Sequence, residues 1–227
     1  MAQTADNIIS FDSFKCGRKS AVRDAQPAMP RPLSRAELPV DTIELAKFLV
    51  GKTLVRELRG GVLLSGRIVE TEAYPVGDAA GHAWRGCTRA NQSLFLEHGR
   101  AYTHFIYGSC WCVNVTSEQS GIGGGALLRA LEPLEGVARM KRNRQVMRDV
   151  DIARGPGRLT EAMRIDGKLD GVDLCDRSSV LWLAEEVRPV GRIGISTRIG
   201  LSQQAHRRLR FYERGSAFVS GPLSLRK

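Results

Sequence analysis

The segment "RIVETEAY" carries two glutamates and a tyrosine at alternating positions of a predicted β-strand. Because successive side chains of a strand point to opposite faces, one face is predicted to carry Ile68, Glu70, Glu72 and Tyr74. Such a polar face is often simply exposed to solvent. A single charge, Arg129, stands in the otherwise apolar "LLRALEP", and a buried arginine needs a carboxylate partner. A glutamate beside an arginine stays ionised, as a general base must be, and the pair could hold a water molecule.

A glycine-rich segment offers a competing chemistry, because "GIGGGA" at 121–126 formally matches the G-x-G-x-x-G/A fingerprint of dinucleotide-binding proteins. Four polar residues, "SEQS", separate these glycines from the preceding strand-like "CWCVNV", and a second strand follows them. A phosphate-binding turn joins a strand directly to a helix. We therefore interpret the glycines as a hairpin turn and keep dinucleotide binding as the less favoured alternative.

The charge balance indicates a polyanionic partner. The 227 residues include 34 Lys and Arg against 24 Asp and Glu, a net charge of +10. This favours nucleic acid or an anionic membrane surface, although a basic soluble protein or a non-catalytic nucleic-acid-binding module has the same balance. Basic residues concentrate in 139–158. The simpler interpretation of this cluster is a helix face exposed to solvent. We predict contacts to DNA phosphates there, from Arg139, Lys141, Arg142 and Arg144.

The cysteines and the N-terminus indicate a reducing compartment. Five cysteines are scattered without a Cys-x-x-Cys pair or a nearby histidine at zinc-ligand spacing, so we expect ordinary thiols and neither metal nor cofactor. No apolar run approaches the length of a membrane span, and the N-terminus resembles neither a signal peptide nor a transit peptide. We expect a soluble protein without membrane association, cytoplasmic in a bacterium or nuclear in a eukaryote.

The pattern of elements predicts an α+β fold, because strands outnumber helices and follow one another directly. A Pro-rich end marks residues 1–34 as a flexible basic arm, with the domain at 35–222 and a tail at 223–227. Helices are predicted at 42–50 and 133–148. Strands are predicted at 52–58, 62–74, 100–107, 110–117 and 126–131, and a last hairpin joins 190–196 to 210–216. The long loop at 75–99 is predicted to hold one helical turn, near "NQSLFLEH".

Over about residues 35–220 the chain resembles the alkyladenine (3-methyladenine) DNA glycosylases of the mammalian type, which also occur in bacteria. The resemblance is carried, in order, by "VETEAY", the histidine that follows it, "YG", "VNV", "LLRALEPLEG", "RGPGRL" and "RFYERGS". It implies a single mixed domain around a curved, mainly antiparallel sheet with flanking helices and no metal. It also implies a monofunctional enzyme, expected to be a monomer, that acts on damaged purines in double-stranded DNA.

The resemblance assigns roles to individual residues. Glu72 resembles the general base that activates a water for attack on a flipped nucleotide, and Arg129 resembles its partner in holding that water. Walls of the base pocket are implied for Tyr74 and His82. Two further roles are implied, in which Asn114 disfavours undamaged guanine and Tyr107 wedges into the duplex.

One implied pocket residue departs from the family, because His104 stands where the family commonly has a tyrosine. Alternation along the strand places it towards the pocket, together with Tyr102 and Ile106. With an ordinary histidine pKa of about 6.5, it would gain a charge that repels cationic bases. We therefore predict that excision of cationic lesions declines relative to neutral ones between pH 7.5 and 6. The loop "CTRAN" also departs from the family pattern.

Overall fold

The computed structural model describes residues 30–106 and 108–222 together with Met1. The α-helices of this part are α1 (Thr42–Leu49), α2 (Val137–Arg144) and α3 (Pro156–Met163). The strands are β1 (Thr53–Leu58), β2 (Val62–Tyr74), β3 (Ala101–Ile106), β4 (Cys110–Thr116), β5 (Gly125–Glu135), β6 (Leu181–Ala184), β7 (Ile193–Ser196) and β8 (Arg210–Glu213). The predicted α+β class is confirmed.

The strands form one antiparallel sheet that curls around β2. Its main order is β3-β4-β5-β2-β1-β6. β5 follows one edge of β2, while the other edge pairs first with β1 and then, over Glu70–Glu72, with β8. β7 pairs with β8. β2 thus brings strands that are distant in the sequence to its C-terminal half, where both of its glutamates lie.

The glycine-rich segment lies in the turn between β4 and β5, which are antiparallel neighbours. It leads into a strand and not into a helix. A phosphate-binding turn of the dinucleotide type requires a helix N-terminus at this point. The interpretation as a hairpin turn is therefore confirmed, and the dinucleotide-binding alternative is wrong.

α1 begins where the sequence indicates. The carboxylate of Asp41 accepts hydrogen bonds from the backbone N–H groups of Ile43 and Glu44, at 2.8 and 2.9 Å. These bonds satisfy donors that a helix leaves unpaired at its first turn. Leu45 and Leu49 are fully buried in the main core, so α1 packs its apolar side against the sheet.

The helix predicted over 133–148 is wrong at both ends. β5 runs on to Glu135 because the long strand β2 offers it pairing partners as far as Ser65. Gly136 then adopts a left-handed φ of 72°, which a glycine accepts without strain, and α2 begins after it. α3 is a helix that is not among the sequence predictions, although a proline at its first position is a typical helix start.

Residues assigned to the N-terminal arm pack on the domain. Leu33 is buried, and its N–H donates to the carbonyl of Leu183 in β6 at 3.0 Å. The side chain of Arg31 bonds to Glu37 and Glu185. The described part of the domain therefore extends N-terminal to the predicted boundary at residue 35, and the rest of the predicted arm, 2–29, lies outside the described residues.

The described part of the chain has neither a helix that could span a membrane nor a cluster of metal-ligating side chains. None of the helices found there is long and apolar enough to cross a membrane. Over the same residues, no group of three or more His, Cys, Asp or Glu side chains is placed to hold a metal ion.

Candidate active site

A double irregularity in the pairing of β2 with β5 positions the central carboxylates. Ile68 pairs with Leu131, but Glu70 pairs with Ala130, so Val69 has no partner on β5. The next pair joins Thr71 to Leu128, so Arg129 in turn has no partner on β2. Each strand therefore carries one extra residue at this point, an arrangement that re-aims side chains and is frequent beside active sites.

The irregularity changes which side chains share a face. Ile68 packs in the main core, and the hydroxyl of Thr71 donates to the carbonyl of Ala46 in α1, so both face the helices. Val69 and Glu70 instead face away from the helices together. The prediction that Ile68 shares the face of the glutamates is wrong, because simple alternation breaks at the bulge.

Glu70 is fully buried and saturated with donors. Its Oε1 accepts from Nε of Arg129 at 2.9 Å, Nε of Arg210 at 2.6 Å and the hydroxyl of Ser220 at 2.8 Å. Its Oε2 accepts from the backbone N–H of Ser220 at 2.6 Å. Burial alone would raise the pKa of Glu70, but the two guanidinium groups and the Ser220 N–H outweigh it and lower the pKa. The surrounding donors therefore favour the ionised form of Glu70, which serves as an anchor for the two arginines.

Glu72 is equally buried but has fewer charged partners. Oε2 lies 3.1 Å from Nη1 of Arg129 and accepts from the hydroxyl of Tyr74 at 3.0 Å. Oε1 accepts from the backbone N–H of Ile199 at 2.8 Å. Burial raises the pKa of Glu72, and these donors offset the effect only in part. A carboxyl group with a raised pKa is the better proton acceptor of the two.

A cavity of about 650 Å³ lies against this part of the sheet, within the size range of ligand pockets. The predicted site residues that line it are Tyr74, His82, His104, Asn114 and Arg129. Glu72 lies directly behind the wall, because the three residues that bond it all line the cavity. The structure thus brings together every predicted catalytic and pocket residue, with the carboxylate one layer below the surface.

A cluster of aromatic rings forms one part of the wall. The ring of His104 stacks on Tyr102, with centroids 5.1 Å apart, and meets His82 edge-on at 4.3 Å. Nδ1 of His82 is hydrogen bonded to the hydroxyl of Tyr102 at 2.7 Å. The amide of Asn114 donates to the carbonyl of Tyr102 and lies 3.4 Å from Nδ1 of His104. His82 and His104 are therefore adjoining parts of one wall.

Both pocket histidines are neutral at physiological pH. Burial, together with the neighbouring His82, lowers the pKa of His104 to about 3. His82 as a whole is exposed to the cavity, but its ring is partly buried. This burial also lowers the pKa of His82. The expectation that His104 gains a charge between pH 7.5 and 6 is therefore wrong, since the stacked rings desolvate it.

The four cations predicted to contact DNA phosphates divide into two kinds. Lys141 pairs with Asp149 at 2.6 Å, and Arg144 pairs with Glu161 and donates to the carbonyl of Ile152. Both are thus held in the fold. Arg139 and Arg142 are exposed on α2, with no ion pair among the described residues. Tyr107, the predicted wedge, lies outside the described residues.

Several residues of the site are not predicted from the sequence. Arg210 and Ser220 hold Glu70, and Ile199 holds Glu72. Arg210 stands in the quoted motif "RFYERGS", but no periodicity links it to β2 at such a distance along the chain. Tyr102 had a signal, because alternation already placed it beside His104.

The chain is similar over most of its length to known proteins. A family model described as methylpurine-DNA glycosylase (MPG) matches residues 36–217. A protein of Mesorhizobium japonicum named "Putative 3-methyladenine DNA glycosylase" is 59% identical over 196 residues, 86% of this chain and 93% of its own length. Proteins of the same name are 49% identical in Paraburkholderia phytofirmans and 42% identical in Chlorobium phaeovibrioides, covering 86% and 80% of this chain and 90% and 92% of their own lengths.

Proposed function

The chain belongs to the methylpurine-DNA glycosylase family, and we propose that it rotates a damaged purine nucleotide out of duplex DNA and hydrolyses its N-glycosidic bond with a water activated by Glu72. It is a DNA glycosylase, a hydrolase of N-glycosyl bonds, as the family and the names of its relatives indicate. Rotation is required because a glycosidic bond in the base stack is out of reach of a side chain.

The observation that carries the proposal is the contrast between two glutamates on one strand. Arg129 contacts both, but Glu70 has four donors and a lowered pKa, whereas the pKa of Glu72 is raised. Carboxylates whose environments separate their pKa values commonly divide the roles of anchor and acid or base. All three donors of Glu72 line the cavity, whereas Arg129 is the only donor of Glu70 among the described lining residues.

The contacts of Glu72 suggest how it meets the water. As a general base it must accept a proton at hydrogen-bond distance, and since Glu72 is buried, a water reaches it from the cavity only where a residue of the wall moves aside. The hydroxyl of Tyr74 is the donor that leaves most readily, because a guanidinium bond to a buried carboxylate is stronger than a hydroxyl bond. Arg129 then keeps Glu72 in place while Oε2 turns to the water.

The lining of the cavity suits a purine. Rings of Tyr74, His82 and His104 offer π faces, and such faces bind a positively charged base with about 0.5–2 kcal/mol of cation–π attraction. Neutral histidines add no repulsion to that attraction. The amide of Asn114 also lines the cavity, where we propose that it disfavours the exocyclic amine of guanine.

We propose a monofunctional enzyme that leaves an abasic site. Arg129 is the cationic side chain among the described lining residues, and a guanidinium stays protonated and forms no Schiff base. Tyr107 is proposed as the wedge that fills the stack. Double-stranded DNA with damaged purines remains the proposed substrate, the monomer the proposed state and, by analogy with bacterial relatives, the cytoplasm the proposed location.

The test uses duplex oligonucleotides with a single ethenoadenine, hypoxanthine or 7-methylguanine. Incubation with the protein followed by alkali should cleave the strand at the lesion, while incubation without alkali should leave it intact. Binding of these duplexes without release of any base would show a non-catalytic binding module instead. Cleavage before alkali would contradict the monofunctional mechanism.

A further inference from the structure

A second buried ion pair joins Asp78, which lines the cavity, to Arg198, which is not among the lining residues. Nη1 of Arg198 lies 2.6 Å from Oδ2 of Asp78, and neither side chain is exposed. Nη1 also donates to the carbonyl of Ala73 at 2.9 Å, and Nη2 donates to Oδ1 of Asp78 at 3.1 Å. Arg198 therefore ties the loop after β7 to the residue between Glu72 and Tyr74.

The same guanidinium lies against the ring of Tyr74. Its central carbon is 4.6 Å from the ring centroid, within the range of a cation–π contact. The position is fixed, because Asp78 and the carbonyl of Ala73 hold the guanidinium from other directions. The ring also lines the base cavity, so one side chain meets both the buried charge and the incoming base.

A cation at one face of a ring weakens the attraction of the ring for a second cation. Cation–π binding arises from the negative potential of the π face, and the guanidinium of Arg198 already interacts with that potential. A positively charged purine on Tyr74 would place a second cation against the ring that Arg198 already contacts. A neutral purine meets no such penalty.

We propose that Arg198 is a specificity-determining residue that lowers the preference of the enzyme for positively charged purines relative to neutral ones. The proposal rests on the proposed function, since it concerns the base that occupies the same cavity. It adds a determinant that acts through Tyr74 without touching the substrate. Asp78 has the supporting role, because without a carboxylate the buried guanidinium would lack its charge partner.

The experiment compares single-turnover release of 7-methylguanine and hypoxanthine from matched duplexes. The double variant Asp78→Asn/Arg198→Gln removes both charges together, so that neither is left unpaired. We expect the ratio of the cationic to the neutral rate to rise about three- to tenfold over the parent. A general loss of site geometry would instead lower both rates and leave their ratio unchanged.

Two single variants serve as controls for the double variant. Arg207 also pairs with Asp78, at 3.4 Å, and is not among the cations that contact Tyr74, so Arg207→Gln should leave the ratio unchanged. Arg198→Lys keeps a positive charge and should stay near the parent. If the double variant does not fold, Arg198→Met takes its place, because Arg207 still pairs with Asp78.

The outcomes are distinguishable from a failure of the proposed function. A parent protein that releases neither base would overturn the proposed function itself. A folded, active, uncharged variant whose ratio rises less than threefold would overturn the role of Arg198 alone. A rise of threefold or more with Arg207→Gln as well would show that the ratio follows total charge and would equally overturn it.

Discussion

Glu70 and Glu72 differ in what they do for the stability of the protein. Glu70 balances Arg129 and Arg210, so Glu70→Gln leaves buried positive charge without its partner and should cost about 3 kcal/mol or more in free energy of unfolding. The pKa of Glu72 is raised, which means that the folded protein disfavours its charge. Glu72→Gln should therefore match the parent within about 1 kcal/mol or exceed it.

Urea unfolding at pH 7 measures both variants against the parent. For the release of the base we expect the opposite order, in which Glu70→Gln lowers the rate far less than Glu72→Gln. Equal stability losses for the two variants would contradict the division into an anchor and a base.

The rate of base release should depend on pH through Glu72. Protonated Glu72 accepts no proton, so the rate should fall as the pH drops through its raised pKa, above the value of about 4.3 typical of glutamate. Glu70 titrates lower and is not expected to contribute. Single-turnover rates measured over a range of pH test this expectation. Each reaction is stopped before the acid can unfold the protein. A rate that falls only at or below the ordinary pKa of glutamate would contradict the assignment of Glu72 as the general base.

His104 should not contribute to that profile. Since its pKa is about 3, it stays neutral from pH 6 to 7.5, and His104→Tyr should leave the pH dependence of cationic and neutral lesions unchanged in this range. The substitution should alter the rates themselves, because a larger ring replaces the one stacked on Tyr102. A pH-dependent difference between the lesion classes that His104→Tyr removes would show a charged histidine after all.

Among the elements, β2 shows what the sequence could and could not predict. Its extent, its glutamates and the need of Arg129 for a carboxylate were all readable from residue types and spacing. The bulge was not, because it arises from pairing with β5 and leaves no mark in local alternation. For the same reason Arg210, Ser220 and Ile199 could not be assigned to the site, since they reach it through long-range pairing and loops.

α2 allows a matched test of the predicted DNA-contacting surface. If about six phosphates are contacted, log affinity should fall against log salt with a slope near −5. Arg142 is exposed and free of ion pairs in the described part of the chain, so Arg142→Gln should reduce the slope by about 0.9, equally for damaged and undamaged DNA. Arg144 is already paired with Glu161, so Arg144→Gln should leave the slope unchanged. If Arg144→Gln reduced the slope and Arg142→Gln did not, the DNA phosphates would contact a different part of the surface.

At the scale of the whole molecule, binding and chemistry are separable. A net charge of +10 attracts DNA at long range, whereas in the proposed mechanism the release of a base depends on one buried carboxylate behind the cavity. Removing the charge of Glu72 should therefore leave the electrostatic attraction and the shape of the cavity intact.

The most direct test measures single-turnover release of 7-methylguanine by the parent and by Glu72→Gln, with lesion affinity measured on the same duplex. The account predicts at least a hundredfold loss of rate, typical of removing a general base, with affinity within a few-fold of the parent. A variant that releases the base at a rate within tenfold of the parent would contradict the central claim that Glu72 activates the water.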